Sequence, residues 1–159
     1  MYFVRKDKVM HVETQFSIFM VNKPGVLARA LGEFAQAKIN IIAITMMDSM
    51  EHGVMRVVFA APEKAKKVLT KLNMPYNETK VLCIRLANQS GALASVVEKL
   101  AKNHINISYA YCTAGAKGGR TTGILKVANV QKAMKVLQES LKKTSKSHPV
   151  VRRSRSSKK

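Results

Sequence analysis

Acidic side chains are scarce in this chain. Nine Asp and Glu stand against 28 Lys and Arg among 159 residues, a formal net charge of +19. No pair of these acids stands out for general acid–base work. Aromatic residues make up 6%, so the core must be built largely from aliphatic side chains. No apolar run reaches the roughly 18 residues that a spanning helix needs, which argues against a membrane protein. The first residues, Met1 to Lys6, lack the apolar stretch of a secretion signal. Cys83 and Cys112 are unclustered, which suits reduced thiols in the cytoplasm better than a disulfide framework. His11, His52, His104 and His148 lack metal-ligand spacing. Ser, Cys and His form no nucleophile arrangement. The glycine-rich stretch at residues 115–121 lacks the spacing of a phosphate-binding loop and reads as a hairpin turn. No catalytic residue, metal or cofactor is expected, and the chain is not read as an enzyme.

What is present is repetition. Asn22, Lys23, Pro24, Gly25, Val26 and Leu27 return sixty-six residues later as Asn88, Gln89, Ser90, Gly91, Ala92 and Leu93. At the same offset Ala28 matches Ala94, Ala35 matches Ala101, and Ile39, Asn40 and Ile41 match Ile105, Asn106 and Ile107, giving eight identities over residues 22–44 and 88–110. Two copies are too few for a solenoid. They read as tandem small domains, each marginal alone and therefore packed on the other or on a second chain.

Within each copy the periodicity changes in one order. Phe16, Ile18 and Met20 alternate with Ser17, Phe19 and Val21, as in a strand. Pro24 and Gly25 break it, and Leu27, Leu31, Phe34 and Ala35 recur at helical spacing over residues 25–37. Residues 40–47 and 54–60 read as strands, Pro62 opens a second helix, and a short strand is expected within 76–82. The second copy predicts a strand at 81–87, a helix at 91–103, strands at 106–112 and 122–128, and a helix at 131–143. Each unit is thus β-α-β-β-α-β, an α+β ferredoxin-like fold with helices on one face of an antiparallel sheet. Residues 1–13 read as an irregular lead-in, 14–80 as the first unit and 81–143 as the second. A fourth strand of the second unit is expected at 149–153. Phe19, Val21 and Val58 make the other sheet face only partly polar, so another element or subunit should cover it. Residues 142–159 hold eight Lys and Arg and no acid, leaving about +11 on residues 1–141. Residues 144–159 form a basic tail, expected to be disordered.

The strand, Asn-x-Pro-Gly-x-Leu, amphipathic helix and Ile-Asn-Ile resemble the ACT domain, a small regulatory module that binds amino acids. His52, Gly53, Val54, Met55 and Arg56, with Tyr109, Ala110 and Tyr111, echo the same group. The resemblance covers about residues 14–143 and implies a stand-alone tandem-ACT protein. It implies a ligand held by one Asn before the turn and one after the first helix. Those positions are Asn22 and Asn40, then Asn88 and Asn106. The site so implied comprises Asn22, Pro24, Gly25, Val26, Leu27, Asn40 and Ile41 in one copy, and Asn88, Ser90, Gly91, Ala92, Leu93, Asn106 and Ile107 in the other.

The chemistry suits a zwitterion. An amide both donates and accepts, and helix-start N–H groups favour a carboxylate, with Gly25 and Gly91 leaving that backbone approachable. Asn before a turn also serves simply as a turn former or cap. Ser90 in place of Pro predicts a looser second turn. Serine-sensing members carry His two residues before the first Asn; Met20 and Leu86 stand there instead, which suits an apolar amino acid. If one site alone works, the first copy is expected to be it.

Two other readings stand beside this one. One is a polyanion- or RNA-binding adaptor using the basic surface and tail, although the central strands lack the aromatic signature of RNA-recognition modules. The other is a subunit regulating a partner, with a decayed ligand site. The expected partners are an amino acid, a second copy in a homodimer and a biosynthetic enzyme.

Overall fold

A computed structural model describes residues 9–49, 52–113 and 119–146. The elements run β1 (Met10–Val21), α1 (Val26–Gln36), β2 (Ile41–Ser49), β3 (His52–Phe59), α2 (Pro62–Lys71), β4 (Tyr76–Ala87), α3 (Ala92–Lys102), β5 (Ile107–Cys112), β6 (Arg120–Val127) and α4 (Val130–Lys146). The six strands make one antiparallel sheet in the order β2-β3-β1-β4-β6-β5.

The two long central strands explain how two small units become one sheet. Met10 lies opposite Ile84, Ile18 opposite Tyr76, and Thr14 opposite Lys80. Thr14 and Lys80 are themselves equivalent positions of the repeat, so the β1–β4 ladder is symmetric about them. The Lys80 ammonium donates to Thr14 Oγ1 at 2.7 Å on that local axis. Each 12-residue strand therefore serves both units. The second half of β1 is the first strand of unit one, and its first half completes unit two. β4 does the converse.

Two expectations change accordingly. Residues 10–13 are not an irregular lead-in but the start of β1, because their N–H and C=O groups find partners on β4. The boundary expected between residues 80 and 81 falls inside β4. The expected strand at 149–153 lies outside the described residues, and the place beside β4 that a fourth strand of unit two would take is filled by the first half of β1.

Helices cover one face of the sheet over two cores. In unit one Phe16, Phe34 and Phe59 are buried, with ring centroids 5.6 Å apart for Phe16–Phe59 and 4.6 Å for Phe34–Phe59. In unit two Leu82, Leu100 and Val127 occupy the equivalent positions, Val127 lying opposite Ile107 as Phe59 lies opposite Ile41. Burying each such side chain contributes about 1.5–3 kcal/mol.

The helix-free face is closed by the sheet itself. A bulge between Ile41 and Ala43, repeated between Ile107 and Tyr109, inserts one residue and turns the rest of the strand over to the opposite face. Ile41 and Ile107 therefore pack into the helix-side cores, while Ala43 and Tyr111 join Val58, Val81, Cys83 and Ile124 on the other side. Tyr109, on the edge strand β5, lies under the Arg56 guanidinium of β3, 3.9 Å from its ring centroid. Four strand spacings separate β5 from β3, about 19 Å in a flat sheet. The contact requires strong curl, with this face concave. Gln15, fully buried, donates to Tyr109 Oη at 2.7 Å and accepts from the Tyr111 hydroxyl at 3.1 Å. Val58 is covered as expected, whereas Phe19 and Val21 at the far end of β1 stay exposed.

Candidate functional site

Both Asn-to-Leu segments fold into one backbone shape. Gly25 and Gly91 sit at the helix N-caps with φ of 86° and 81°. A Cβ built on either would meet nothing within 4 Å, so the left-handed conformation, not crowding, demands glycine. Val26 N–H donates to the Lys23 carbonyl and Ala92 N–H to that of Gln89, each at 3.3 Å. Ser90 does not loosen the second turn, since this bond and the glycine angle match the first. No side chain caps either helix start.

The helices also end alike. Lys38 and His104 take positive φ, and the next N–H in each case bonds back to the carbonyl of Phe34 or Leu100. This is the Schellman ending. Asn22 and Asn40 therefore stand at opposite ends of α1, an 11-residue helix about 16 Å long. Asn88 and Asn106 bracket α3 in the same way. One chain does not bring the two asparagines of a copy together.

At the turn of the second copy a cleft of about 390 Å³ is lined by Leu86, Ala87, Asn88, Gln89, Ala92, Leu93, Cys112, Thr113 and Thr121. It gathers the end of β4, the start of α3 and the neighbouring ends of β5 and β6, where Leu86 faces Thr121 across the ladder. Thr121 Oγ1 donates to the Thr113 carbonyl, and Thr122 N–H donates to Thr113 Oγ1 at 3.0 Å. Asn88 N–H is held by the Gly119 carbonyl at 3.0 Å. Among the described residues no ionisable acid or base lines the cleft apart from the Cys112 thiol. Asn40 lines a separate hollow of about 290 Å³ with Ala35, Lys38 and Ile39.

Of the expected residues, Asn88, Ala92 and Leu93 line the cleft, while Ser90 and Gly91 are exposed beside it. Asn106 and Ile107 lie at the other end of α3. Asn22, Pro24 and Gly25 form the exposed first turn, with Val26 and Leu27 packed against the unit-one core. Cys112, Thr113 and Thr121 were not expected. Only strand register puts them beside the turn, and the repeat offset was the available signal. At that offset Leu86, Cys112 and Thr113 correspond to Met20, Met46 and Met47, while Thr121, opposite Leu86, takes the place that Gly53 takes opposite Met20. Long thioether side chains thus fill the equivalent corner of unit one. A Cβ on Gly53 there would lie 3.5 Å from Met46 Cε and 3.9 Å from Met20 Cγ.

A family model described as an ACT domain pair matches residues 10–147. The chain belongs to this family. A search of curated proteins gave no match. Among solved structures the ACT pair is similar to protein BT0572 from Bacteroides thetaiotaomicron, with 30% identity over 84% of this chain and 92% of that one, and a TM-score of 0.77. The fold is also that of the ligand-free regulatory subunit of aspartate kinase from Thermus thermophilus, with 12% identity, 82% and 95% of the two chains covered, and a TM-score of 0.61. Aspartokinase III of E. coli in complex with lysine and aspartate matches at 15% identity over 86% of this chain and 32% of that one, with a TM-score of 0.53.

Proposed function

We propose that this ACT pair is a non-catalytic regulatory protein that senses a small amino acid in the second-copy cleft. The observation that carries the reading is an uncapped helix start opening onto a cleft of about 390 Å³ lined by amide, hydroxyl and aliphatic groups. That volume lies in the range of small-molecule sites. The Asn88 and Gln89 amides can accept from an ammonium and donate to a carboxylate. The first N–H groups of α3 favour the carboxylate further. Leu86, Ala92 and Leu93 favour an apolar ligand side chain. The aspartokinase III solved with lysine and aspartate supports the amino-acid reading by likeness of fold. The regulatory subunit of aspartate kinase supports a biosynthetic enzyme as partner. Two free cysteines suit the cytoplasm.

Occupancy has a physical route out of the cleft. Cys112 at the end of β5 lines it, and Tyr111 and Tyr109 on the same strand bind Gln15 and Arg56 of unit one. Regulation requires the ligand to favour one of two arrangements of that contact. A homodimer is part of the reading. The open edge strand β2 exposes Ile44, Met46 and Met47, with no lysine to discourage pairing, and Phe19 and Val21 are exposed two strands in. A second copy laid on this edge would also bring further groups to the turns.

The test is thermal shift and calorimetry against the twenty amino acids, alongside thiol labelling of the exposed Cys112. At least one amino acid should stabilise the protein and slow that labelling. Thr121→Met, which fills the cleft with a long thioether side chain, should abolish both effects while the chain stays folded, and Asn88→Ala should weaken them. No response to any amino acid, or one affected only by Asn22→Ala, would remove the second-copy site. Scattering at micromolar concentration that shows a monomer would remove the dimer.

A further inference from the structure

Methionine is unevenly spread along the chain. Four of the nine fall within residues 46–55, and strand pairing brings Met20 to the same corner of unit one. Met46 lies directly opposite Met55 on the β2–β3 ladder. Met20 lies opposite Gly53, two residues from Met55 along β3. Directly opposite residues hold their Cβ atoms about 4.5–5.5 Å apart, and diagonal ones about 7–8 Å. Met20, Met46 and Met55 thus share the helix-covered face of the sheet, while Met47 and Val54 alternate to the other face.

Gly53 gives these side chains a common centre. It leaves the middle of the group open, and its neighbours lean over the gap. A Cβ built there would lie 3.5 Å from Met46 Cε and 3.9 Å from Met20 Cγ, each a carbon bonded to the thioether sulfur. Burial falls in steps, from Met55, fully enclosed, through Met20 to Met46, which is 44% exposed. An ion passing Met46 therefore reaches two sulfurs already held by the unit-one core. Packing accounts for Met20 and Met55, since methionine fills irregular gaps. It accounts less well for Met46, on an exposed edge strand that a β-branched residue would suit better.

We propose that Met20, Met46 and Met55 form a binding site for a soft monovalent cation of the Cu(I) type, held by three thioether sulfurs over Gly53. Thioethers are soft and uncharged, so they select Cu(I), whereas Mg²⁺ and Ca²⁺ take oxygen ligands and Zn²⁺ takes thiolate, imidazole or carboxylate. They carry no proton to displace, so binding does not compete with acid. The surrounding charge is mild for so basic a chain. Residues 1–80 hold 12 Lys and Arg against seven acids, +5 of the net +19. Arg56, the one Lys or Arg of β2 and β3, is drawn to the other face over Tyr109. Unit two has Leu86, Cys112 and Gly123 at the equivalent positions and so lacks the set.

The experiment is NMR of the full chain with isotope-labelled methionine methyl groups, titrated with Ag(I), a redox-inert stand-in for Cu(I), and separately with Zn(II). Cys112→Ser serves as the background, because that exposed thiol would take Ag(I) itself, while Cys83 is buried. The Met20, Met46 and Met55 methyl signals should shift together and saturate at one equivalent. Met10 and Met134, in unit two, should stay in place, and Zn(II) should move none of them. Met46→Leu should weaken Ag(I) binding by more than the roughly tenfold that losing an outer-shell partner costs. Met20→Leu should do the same, and both variants should stay folded, since this exchange nearly conserves volume. Affinity should be level between about pH 6 and 8. No shift, shifts spread over every methionine, or an affinity unchanged in Met46→Leu overturns the proposal. So does an affinity that falls with acid, which would reveal a titrating ligand in place of the three thioethers. The site shares no residue with the cleft, so the amino-acid reading stands or falls separately.

Discussion

Unit one places Phe16, Phe34 and Phe59 where unit two places Leu82, Leu100 and Val127. It places Met20, Met46 and Met47 where unit two has Leu86, Cys112 and Thr113, and Gly53 where unit two has Thr121. Yet α1 and α3 have the same length, the same glycine N-cap conformation and the same ending, and the bulges fall at equivalent residues. A few local devices hold the shared backbone. Side-chain volume then decides what each corner can do. Met46 and Met20 lie over Gly53 in unit one, and the smaller, more polar set lines a cleft in unit two.

Truncating the cores is the strongest way to test that contrast. Phe59→Ala should destabilise by about 3–5 kcal/mol, since it removes a ring that packs on both Phe16 and Phe34. Leu125→Ala, buried in the unit-two core opposite Leu82, should cost about 2–5 kcal/mol and less than Phe59→Ala. Urea unfolding read by circular dichroism measures both. A single transition is expected in each case, because β1 and β4 belong to both units. Two separated transitions would show that the shared strands do not couple them.

The turns should behave oppositely, as equals. Gly25→Ala and Gly91→Ala each force an L-residue into left-handed backbone, at φ of 86° and 81°. Each should cost about 1–2 kcal/mol by the same denaturation, and a large difference would break the equivalence of the two turns.

Much of this was legible in the sequence because it rests on local signals. The sixty-six-residue offset, the alternation of Phe16, Ile18 and Met20, and Gly after Asn-x-Pro or Asn-x-Ser placed strands and helices within a few residues. The turn and its helix-start donors were legible for the same reason. Lys38 and His104 were not, since left-handed helix ends usually carry Gly or Asn. The place of residues 10–13 was not legible either, because it depends on pairing with β4 some seventy residues away. The cleft wall of Cys112, Thr113 and Thr121 depends on the same long-range register, and so does the meeting of Arg56 with Tyr109. Such partners are chosen by the curled sheet, not by their neighbours in sequence.

The contact between units should be measurable and modest. Arg56 over Tyr109 has no internal copy, since Ile124 and Ala43 occupy the equivalent positions. A double-mutant cycle with Arg56→Ala and Tyr109→Leu, which removes the ring, should give a coupling of about 0.5–1 kcal/mol. Tyr109→Phe should also cost about 1 kcal/mol by itself, because the buried Gln15 amide loses an acceptor. Zero coupling would remove β5 as the route by which the cleft speaks to unit one.

The smallest effect is confined to alkaline solution and to side chains of unit two. Burial first, and the Glu13 charge second, push the Cys83 thiol up from 9.0 to about 12. Burial likewise raises Tyr111 above its usual 10.0, with Tyr109 and Cys83 adding to it. Both groups hold their protons longer folded than unfolded, so above pH 9 the unfolded chain binds fewer protons and stability falls as pH rises toward 12. Their equivalents in unit one, Ser17 and Thr45, do not titrate in that range. Cys83→Ser and Tyr111→Phe should each flatten the alkaline fall in the urea midpoint, whatever they do to stability at neutral pH. A fall that survives the double substitution would place the titrating groups elsewhere.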